Sequence, residues 1–384
     1  MPDVRAVRAF LDSKHIQLAE RFAAFASWRV APRPHPASDD EARVEARALL
    51  ALLGGGEWFA AIAEQDLRAC ALIRETLAAA SPLADAVFAL QALGATPLVL
   101  AGSAAQRARW LPAVGRGEAM AAFAMTEPDA GSDVAAMTTV ARRDGETYVL
   151  NGTKTLISNA GIADFYVVFA STSPARGKKG ITSFLVPANH PGLVFVRPQV
   201  LSSPHPLGEI ALRDCRLDLS AMIGQEGDGM RLGLATLDRL RATVGAAACG
   251  MAERALDEAL GLAIVRRQFG KKLAEFQLTQ DKIARMATDL TAARLLVYRA
   301  AWEKDGGAER VTVESAMAKA FATETAQRIV DDAIQIVGGQ GVLADHPLDL
   351  LYRSVRALRI YEGTTEMQRL IIAGQVIAQA EASV

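Results

Sequence analysis

Glu362 sits where a base would be useful. It lies in RIYEGTTEMQRLII, residues 359–372, with apolar residues and a tyrosine before it and a Gly-Thr-Thr turn after it. A carboxylate held in an apolar notch has its charged form disfavoured, so its pKa rises and it can accept a proton at working pH. A surface acid in the same words of sequence would do nothing. Three further stretches carry ligand chemistry. In AMTEPDAGSD (124–133), a Gly-Ser turn and the hydroxyls of Thr126 and Ser132 can cradle polar ligand atoms, although an ordinary polar loop has the same composition. In VRRQFGKKLAEFQLTQ (265–280), the basic pair before Phe269-Gly270 can hold a phosphate and set an aromatic against a ring; a solvated basic helix end accounts for it equally. In AIQIVGGQGV (333–342), the glycines allow close backbone approach or simply end a helix. No GxGxxG follows an early strand, so a Rossmann nucleotide site has no support.

These stretches need elements to hold them, and the chain changes period twice. Residues 1–118 have helical spacing, with an N-cap signal at Ser38, acids in the first turn after it, and a Pro-rich connection at 31–38. Residues 119–226 hold short β-rich runs such as ETYVLNGTKTLIS, ADFYVVFAS and GITSFLVP, separated by Gly, Asn, Asp and Pro. The pattern predicts an antiparallel barrel or sandwich. From 227 to 384 the chain is helical again, with long helices expected over 229–262, 272–305 and 308–337. The uncharged run Ala86–Gln106 is long enough to suggest a membrane span. Gln91, Gly94, Thr96, Pro97, Gly102 and Ser103 interrupt it, so the expectation is a buried helix ending near Gly94 and a second short helical stretch.

Composition bounds the function. The 384 residues are 51% hydrophobic and 22% charged with a net charge of −1, an ordinary globular balance with room for a large core. Near-neutral charge gives no footprint for nucleic acid or an anionic membrane. Cys70, Cys215 and Cys249 are scattered, with no CxxC or Cys/His cluster, so neither a disulfide framework nor a metal site is indicated. The first 22 residues are amphipathic and carry Asp3, Asp12 and Glu20, unlike a secretory signal. A cytoplasmic setting is expected.

Taken together and in order, MTEPDAGSDV, NGTKTLISNAG, KGITSFLVP, RRQFGKKLAEFQ, QIVGGQG and YEGTTEMQRLII make the chain resemble the acyl-CoA dehydrogenase flavoproteins, from about residue 85 to the end. The resemblance implies an α+β fold: an N-terminal helical domain (1–118), a central antiparallel β domain (119–226) and a C-terminal four-helix bundle (227–384). It implies FAD as cofactor and an acyl-CoA substrate. Glu362 matches the family's base, which takes the proton α to the thioester carbonyl while a hydride leaves the β carbon for flavin N5, giving a trans-2-enoyl-CoA. Phe123, Met125, Thr126 and Ser132 match one ring-side segment, and Leu156 and Ser158 a second. Arg266 and Phe269 match pyrophosphate and adenine-side contacts, Gln277 also matches, and Thr364 and Glu366 match adenosine-side contacts. Gln335, Gly338 and Gly339 match a site reached from a neighbouring subunit, which implies a homotetramer built as a dimer of dimers. Ser132, Asp238 and Arg241 match substrate-side positions; as bare sequence, Asp238 and Arg241 are a helix-surface ion pair. An electron-transferring flavoprotein is the implied electron acceptor.

Some family members carry the base on the helix at LDRLRATVGAAACG. The corresponding residue is Leu240, which cannot titrate, and this favours Glu362. The chain departs from the family at Leu156, where a tryptophan is common, at LLGGGEWFAAI, and at Gly374, where an arginine is common. Residues 82–94 lie where the family lines the acyl tail, and Ala86 and Ala89 there are small, leaving room for a branched, cyclic or longer acyl group. Rival readings are an acyl-CoA oxidase, a flavin-binding homologue without dehydrogenation, and a nitroalkane-oxidising homologue; the last would have Asp at the base position.

Overall fold

The computed structural model describes residues 4–382. In chain order the helices are α1 (Ser13–Phe25), α2 (Asp39–Gly55), α3 (Ala60–Glu64), α4 (Leu67–Ala80), α5 (Pro82–Ala101), α6 (Ala104–Gly115), α7 (Gly229–Ala263), α8 (Gln277–Asp305), α9 (Thr312–Val337), α10 (Pro347–Leu358) and α11 (Thr365–Glu381). The strands are β1 (Ala121–Ala124), β2 (Val140–Asp144), β3 (Thr147–Ser158), β4 (Phe165–Ser171), β5 (Ile181–Pro187), β6 (Leu193–Pro198), β7 (Leu207–Asp218), β8 (Met222–Ile223), β9 (Arg267–Gln268) and β10 (Lys271–Lys272). The zones 1–118, 119–226 and 227–384 follow chain order. Contacts group the residues into two compact units: Met1–Arg33 with Asp66–Asp85 and Asp238–Val384, and Pro34–Gln65 with Ala86–Leu237.

The first unit is helical. Its core is unusually rich in alanine: Ala246, Ala247, Ala248, Ala252, Ala318, Ala322 and Ala326 are buried with Val297, Tyr298, Ile329 and Val330. Small side chains let helix axes approach, and dispersion over the shared surface replaces bulk. Gly250 shows the limit of this, since a Cβ there would lie 1.9 Å from the Glu75 carbonyl oxygen of α4. The α4 N-terminus is capped twice. Asp66 accepts from the Ala69 N–H at 3.0 Å, and Asp305 accepts from the N–H groups of Leu67 and Arg68 at 2.9 and 3.0 Å. Helix α10 buries Leu348, Leu351, Val355 and Leu358, one stripe at helical spacing. It stops four residues before Glu362.

The second unit is built on a sheet of order β6-β7-β3-β2-β4-β5-β8, with β1 beside β4. Most pairings are antiparallel, as the short alternating runs predict. β4 is the exception: it pairs in parallel with β1 and with β2, which makes the sheet mixed. Pairing of β3 with β7 slips between Lys154 and Ile157, where β3 carries one extra residue. That bulge contains Leu156, held at φ 55.

Helix α5 does not end near Gly94, as the local sequence predicts. It runs unbroken from Pro82 to Ala101 with Pro97 inside. Packing overrides propensity here. A Cβ at Gly94 would lie 2.4 Å from the Ala121 Cβ, so the glycine is there to admit strand β1 rather than to stop the helix. The helix is long and apolar enough to cross a membrane, but 72% of its apolar window is buried inside the protein.

Candidate active site

The turn between α10 and α11 carries Glu362. Glu362 and Gly363 both take left-handed backbone, at φ 53 and φ 91. Such a conformation costs a non-glycine residue about 1–2 kcal/mol, so it persists only where neighbours impose it. They do so from several sides. Gln368 Nε2 donates to the carbonyls of Glu362 and Gly363 at 3.2 and 2.9 Å. Lys319 Nζ donates to the Gly363 carbonyl at 2.6 Å. The Thr364 hydroxyl caps α11 by accepting from the Met367 N–H at 3.3 Å. Thr365 and Arg359 both donate to Glu324 Oε1, at 2.7 and 2.8 Å, and so tie the two ends of the turn to α9.

Within that frame the Glu362 carboxyl is left free. Its Oε2 is fully covered and has no hydrogen-bond partner among the described residues. Its backbone N–H likewise donates to no described group. Burial pushes the carboxyl above the ordinary carboxylate range; the positive charges of Arg74, Lys319 and Arg241 oppose this, and Asp85 adds to it. Arg74 and Asp85 form a buried bidentate pair at 2.8 and 3.0 Å, each 2% exposed. Arg74 also donates to Thr243 Oγ1 at 2.9 Å, and Thr243 in turn donates to the Leu240 carbonyl at 2.7 Å. Asp238 and Arg241 pair at 3.2 Å, as their spacing of three predicts. The pair is not a surface one. Arg241 is buried, its Nε has no partner among the described residues, and Thr312 donates to the second Asp238 oxygen at 3.2 Å. Leu240 is 5% exposed and apolar, so this turn of α7 offers no second base. The geometry therefore gives a half-buried carboxyl, one oxygen of it covered and unpartnered, that can take a proton, beside a backbone N–H free to hold an oxygen on which negative charge develops.

In the sheet unit, the two ring-side segments of the sequence reading are neighbours. The Thr155 N–H donates to the Thr126 carbonyl at 3.0 Å, which sets Met125–Thr126 alongside Leu156–Ser158. A buried ion pair holds them. Lys154 Nζ, 0% exposed, donates to Glu127 Oε1 at 2.8 Å and to the Met125 carbonyl at 3.1 Å. Phe123 packs against Phe169, ring centres 4.8 Å apart. The bulge turns the Leu156 side chain outward, where it is half exposed. Ser158 Oγ lies 2.8 Å from His205 Nε2. Burial lowers the His205 pKa to about 4, so the imidazole is neutral. An open apolar side chain beside hydroxyls and a neutral imidazole fits an apolar, hydrogen-bonding flavin ring. Ser132 lies in the exposed part of the same loop.

The remaining residues fall elsewhere. Phe269 and Gly270 form the two-residue turn of the β9–β10 hairpin, at φ 50 and 81, with Phe269 94% exposed. Arg266, Gln277, Gln335, Gly338 and Gly339 are exposed too. α8 and α9 run antiparallel and are bridged by Lys282 and Asp332, so the hairpin and the glycines share one end of the helix pair. Gln335 lies sixteen positions along α9 from Lys319, about 24 Å, so this end does not reach the Glu362 turn of its own chain. Glu366 is exposed in the first turn of α11. One group has metal-like spacing, His15, Asp66 and Asp305, but its atoms are spent: His15 and Lys14 hold Asp66, and Arg68 holds Asp305, while both acids cap α4.

Sequence reasoning missed Lys319, Arg74, Asp85 and Gln368. For Lys319, Arg74 and Asp85 the signal was charge inside an apolar helical run, as in SAMAKAFATE and ACALIRETLAAA; Gln368 carried no such signal.

Models of the N-terminal, middle and C-terminal domains of acyl-CoA dehydrogenases match residues 12–118, 122–215 and 227–377. The 3-(aryl)acrylate reductase of Clostridium sporogenes is 42% identical over 315 residues, 81% of this chain and 83% of that relative. Butyryl-CoA dehydrogenase from Megasphaera elsdenii superposes with a TM-score of 0.89 at 31% identity, covering 96% of this chain and 99% of that one. A chain from a structure of the electron-transferring flavoprotein of Acidaminococcus fermentans superposes with a TM-score of 0.88 at 31% identity, covering 95% and 98%. Three domain matches in order along nearly its whole length make this chain a member of the acyl-CoA dehydrogenase family, FAD-dependent oxidoreductases.

Proposed function

We propose that the protein dehydrogenates an acyl-CoA thioester between its α and β carbons, with Glu362 taking the α proton and a trans-2-enoyl-CoA as product. One observation carries the reading: the half-buried Glu362 carboxyl has one fully covered, unpartnered oxygen and is held above the ordinary carboxylate range by burial. Bound FAD supplies the hydride acceptor. The chain's own residues do the rest. Glu362 removes the proton, and its free backbone N–H stabilises charge on the thioester oxygen. Arg241 and Asp238 serve the substrate side together with Ser132. Phe123, Met125, Thr126, Ser132, Leu156 and Ser158 hold the flavin ring, and Thr364 and Glu366 its adenosine side. Arg266 and Phe269, with Gln277, serve the pyrophosphate and adenine side, and Gln335, Gly338 and Gly339 serve a neighbouring copy in a homotetramer, a role supported by their exposure and by the distance of Gln335 along α9 from Lys319, which binds the Glu362 turn. An electron-transferring flavoprotein takes the electrons, consistent with the Acidaminococcus fermentans match.

The acyl group we propose is bulky, an arylpropanoyl in the leading case. Ala86 and Ala89 lie one turn apart on α5 and are only half buried, which leaves lateral room. The relative from Clostridium sporogenes is named for arylacrylates. A carboxyl with a raised pKa is protonated in a larger fraction of molecules near neutral pH, so the same residue can also supply the proton for reduction of the enoyl form. The test is anaerobic bleaching of the FAD-loaded protein by butyryl-, branched-chain and 3-phenylpropanoyl-CoA, with the product identified. Bleaching should occur and be fastest with a bulky thioester. A folded, FAD-loaded protein that no thioester bleaches overturns the reading; butyryl-CoA as the fastest substrate overturns the bulky pocket alone.

A further inference from the structure

Lys319 is 0% exposed on α9, and among the described residues no carboxylate oxygen lies within ion-pair distance of its Nζ. Its hydrogen bond goes to the Gly363 carbonyl, at 2.6 Å. An ammonium group this deep is costly without a paired anion, and a methionine of similar volume would fill the space without that cost. What it touches explains why a charge is there. Gly363 is the second of two consecutive left-handed residues, and the first is Glu362. A hydrogen bond from a charged donor is stronger than one from a neutral donor, and this one anchors the turn to α9. The same positive charge faces the Glu362 carboxyl, which has no direct partner of its own.

We propose that Lys319 is a positioning residue for the catalytic base: its hydrogen bond to Gly363 fixes the left-handed turn, and its charge keeps the Glu362 carboxylate ionised enough to accept a proton. The proposal rests on Glu362 being the base. Lys319 acts through Glu362 and touches no reacting atom. The charged groups facing Lys319 are Glu362, Arg241, Glu324 and Glu366; those facing Glu362 are Arg74, Lys319, Arg241 and Asp85. Of the three cations facing Glu362, Arg74 is bound to Asp85 and Arg241 to Asp238, so the charge of Lys319 is the least cancelled.

The experiment measures the rate of anaerobic bleaching against pH for the FAD-loaded full chain, in wild type, Lys319→Met, Lys319→Gln and Glu362→Gln. The acid limb, where rate rises as the base loses its proton, should move up by about one pH unit in both lysine variants. Lys319→Gln keeps a donor toward Gly363, so its plateau rate should stay within about tenfold of wild type, while Lys319→Met should fall further. An acid limb within about 0.2 units of wild type in both variants, read on the same scale, overturns the proposal. So does failure of both to fold and bind FAD, which would make Lys319 a purely structural residue. Glu362→Gln separates the two readings: bleaching at wild-type rate removes Glu362 as base, whereas loss of bleaching with unmoved lysine variants removes only the role of Lys319.

Discussion

Glu127 in the sheet unit is a buried carboxyl and Glu362 in the helical unit a half-buried one with a covered oxygen, and they end in opposite states. Glu127 receives four donors: the Thr138 N–H and hydroxyl at 2.6 and 2.8 Å, the Thr139 N–H at 3.0 Å, and Lys154 at 2.8 Å. Burial alone would raise its pKa, but the Lys154 charge and these bonds outweigh it and bring the pKa down to about 2. Glu362 has cations around it but no donor on its Oε2, and burial wins. The number of aimed donors, more than depth, decides whether a buried acid is a structural anion or a base. Glu127 spends its charge holding the Thr126 loop to β3. Glu362 keeps its proton affinity for chemistry.

The contrast can be broken by substitution. Glu127→Gln should be the most destabilising change, because it strands the Lys154 ammonium in the core. The expected loss is about 3–5 kcal/mol in denaturant unfolding, with weakened FAD retention. Adding Lys154→Met should recover most of it; a single-variant loss under about 1 kcal/mol would show that the pair is not what holds the loop. Glu362→Gln should have the opposite sign. The folded pKa of Glu362 is raised, so its ionised form costs stability at neutral pH, and the amide should leave the protein at least as stable as wild type. A large loss of stability there would make Glu362 a structural anion like Glu127.

Acid titration sharpens the same difference. Glu127 has a lowered folded pKa, so its stabilisation is complete above about pH 4.5 and disappears as pH falls toward about 2. The stability advantage of wild type over Glu127→Gln should therefore shrink as pH falls through that window. An advantage that persists unchanged at pH 2.5–3, measured by thermal unfolding, would contradict the assignment. The smallest effect is expected at Leu156, the left-handed bulge residue. Leu156→Gly should relieve about 1 kcal/mol of backbone strain while altering the flavin absorption envelope. An unchanged flavin spectrum would remove this residue from the ring side.

What the sequence made legible was local. The long helices α7, α8 and α9 follow from their period. The Asp238–Arg241 pair follows from its spacing, whereas the hairpin turn at Phe269-Gly270 stands where the sequence suggested a basic helix end. The turn at Glu362 was visible because Gly-Thr-Thr follows it. What was hidden depends on distant partners. Lys319 meets a carbonyl 44 positions away, and Arg294 meets Glu75 across 219. No window of sequence contains both ends of such a bond. The same holds for Gly94, whose role as a gap for Ala121 cannot be told from a helix stop until β1 is in place. The bulge at Leu156 was hidden because it is a slip between two strands, fixed by β7 rather than by β3 alone.

The central claim is that the unpartnered Glu362 carboxyl is the base, and rapid-mixing bleaching tests it most directly. FAD-loaded wild type and Glu362→Gln are mixed anaerobically with the thioester that bleaches wild type fastest. The account predicts that the variant keeps its FAD and its fold, and bleaches at least about 10²–10⁴-fold more slowly. Bleaching by the variant at close to the wild-type rate would contradict it.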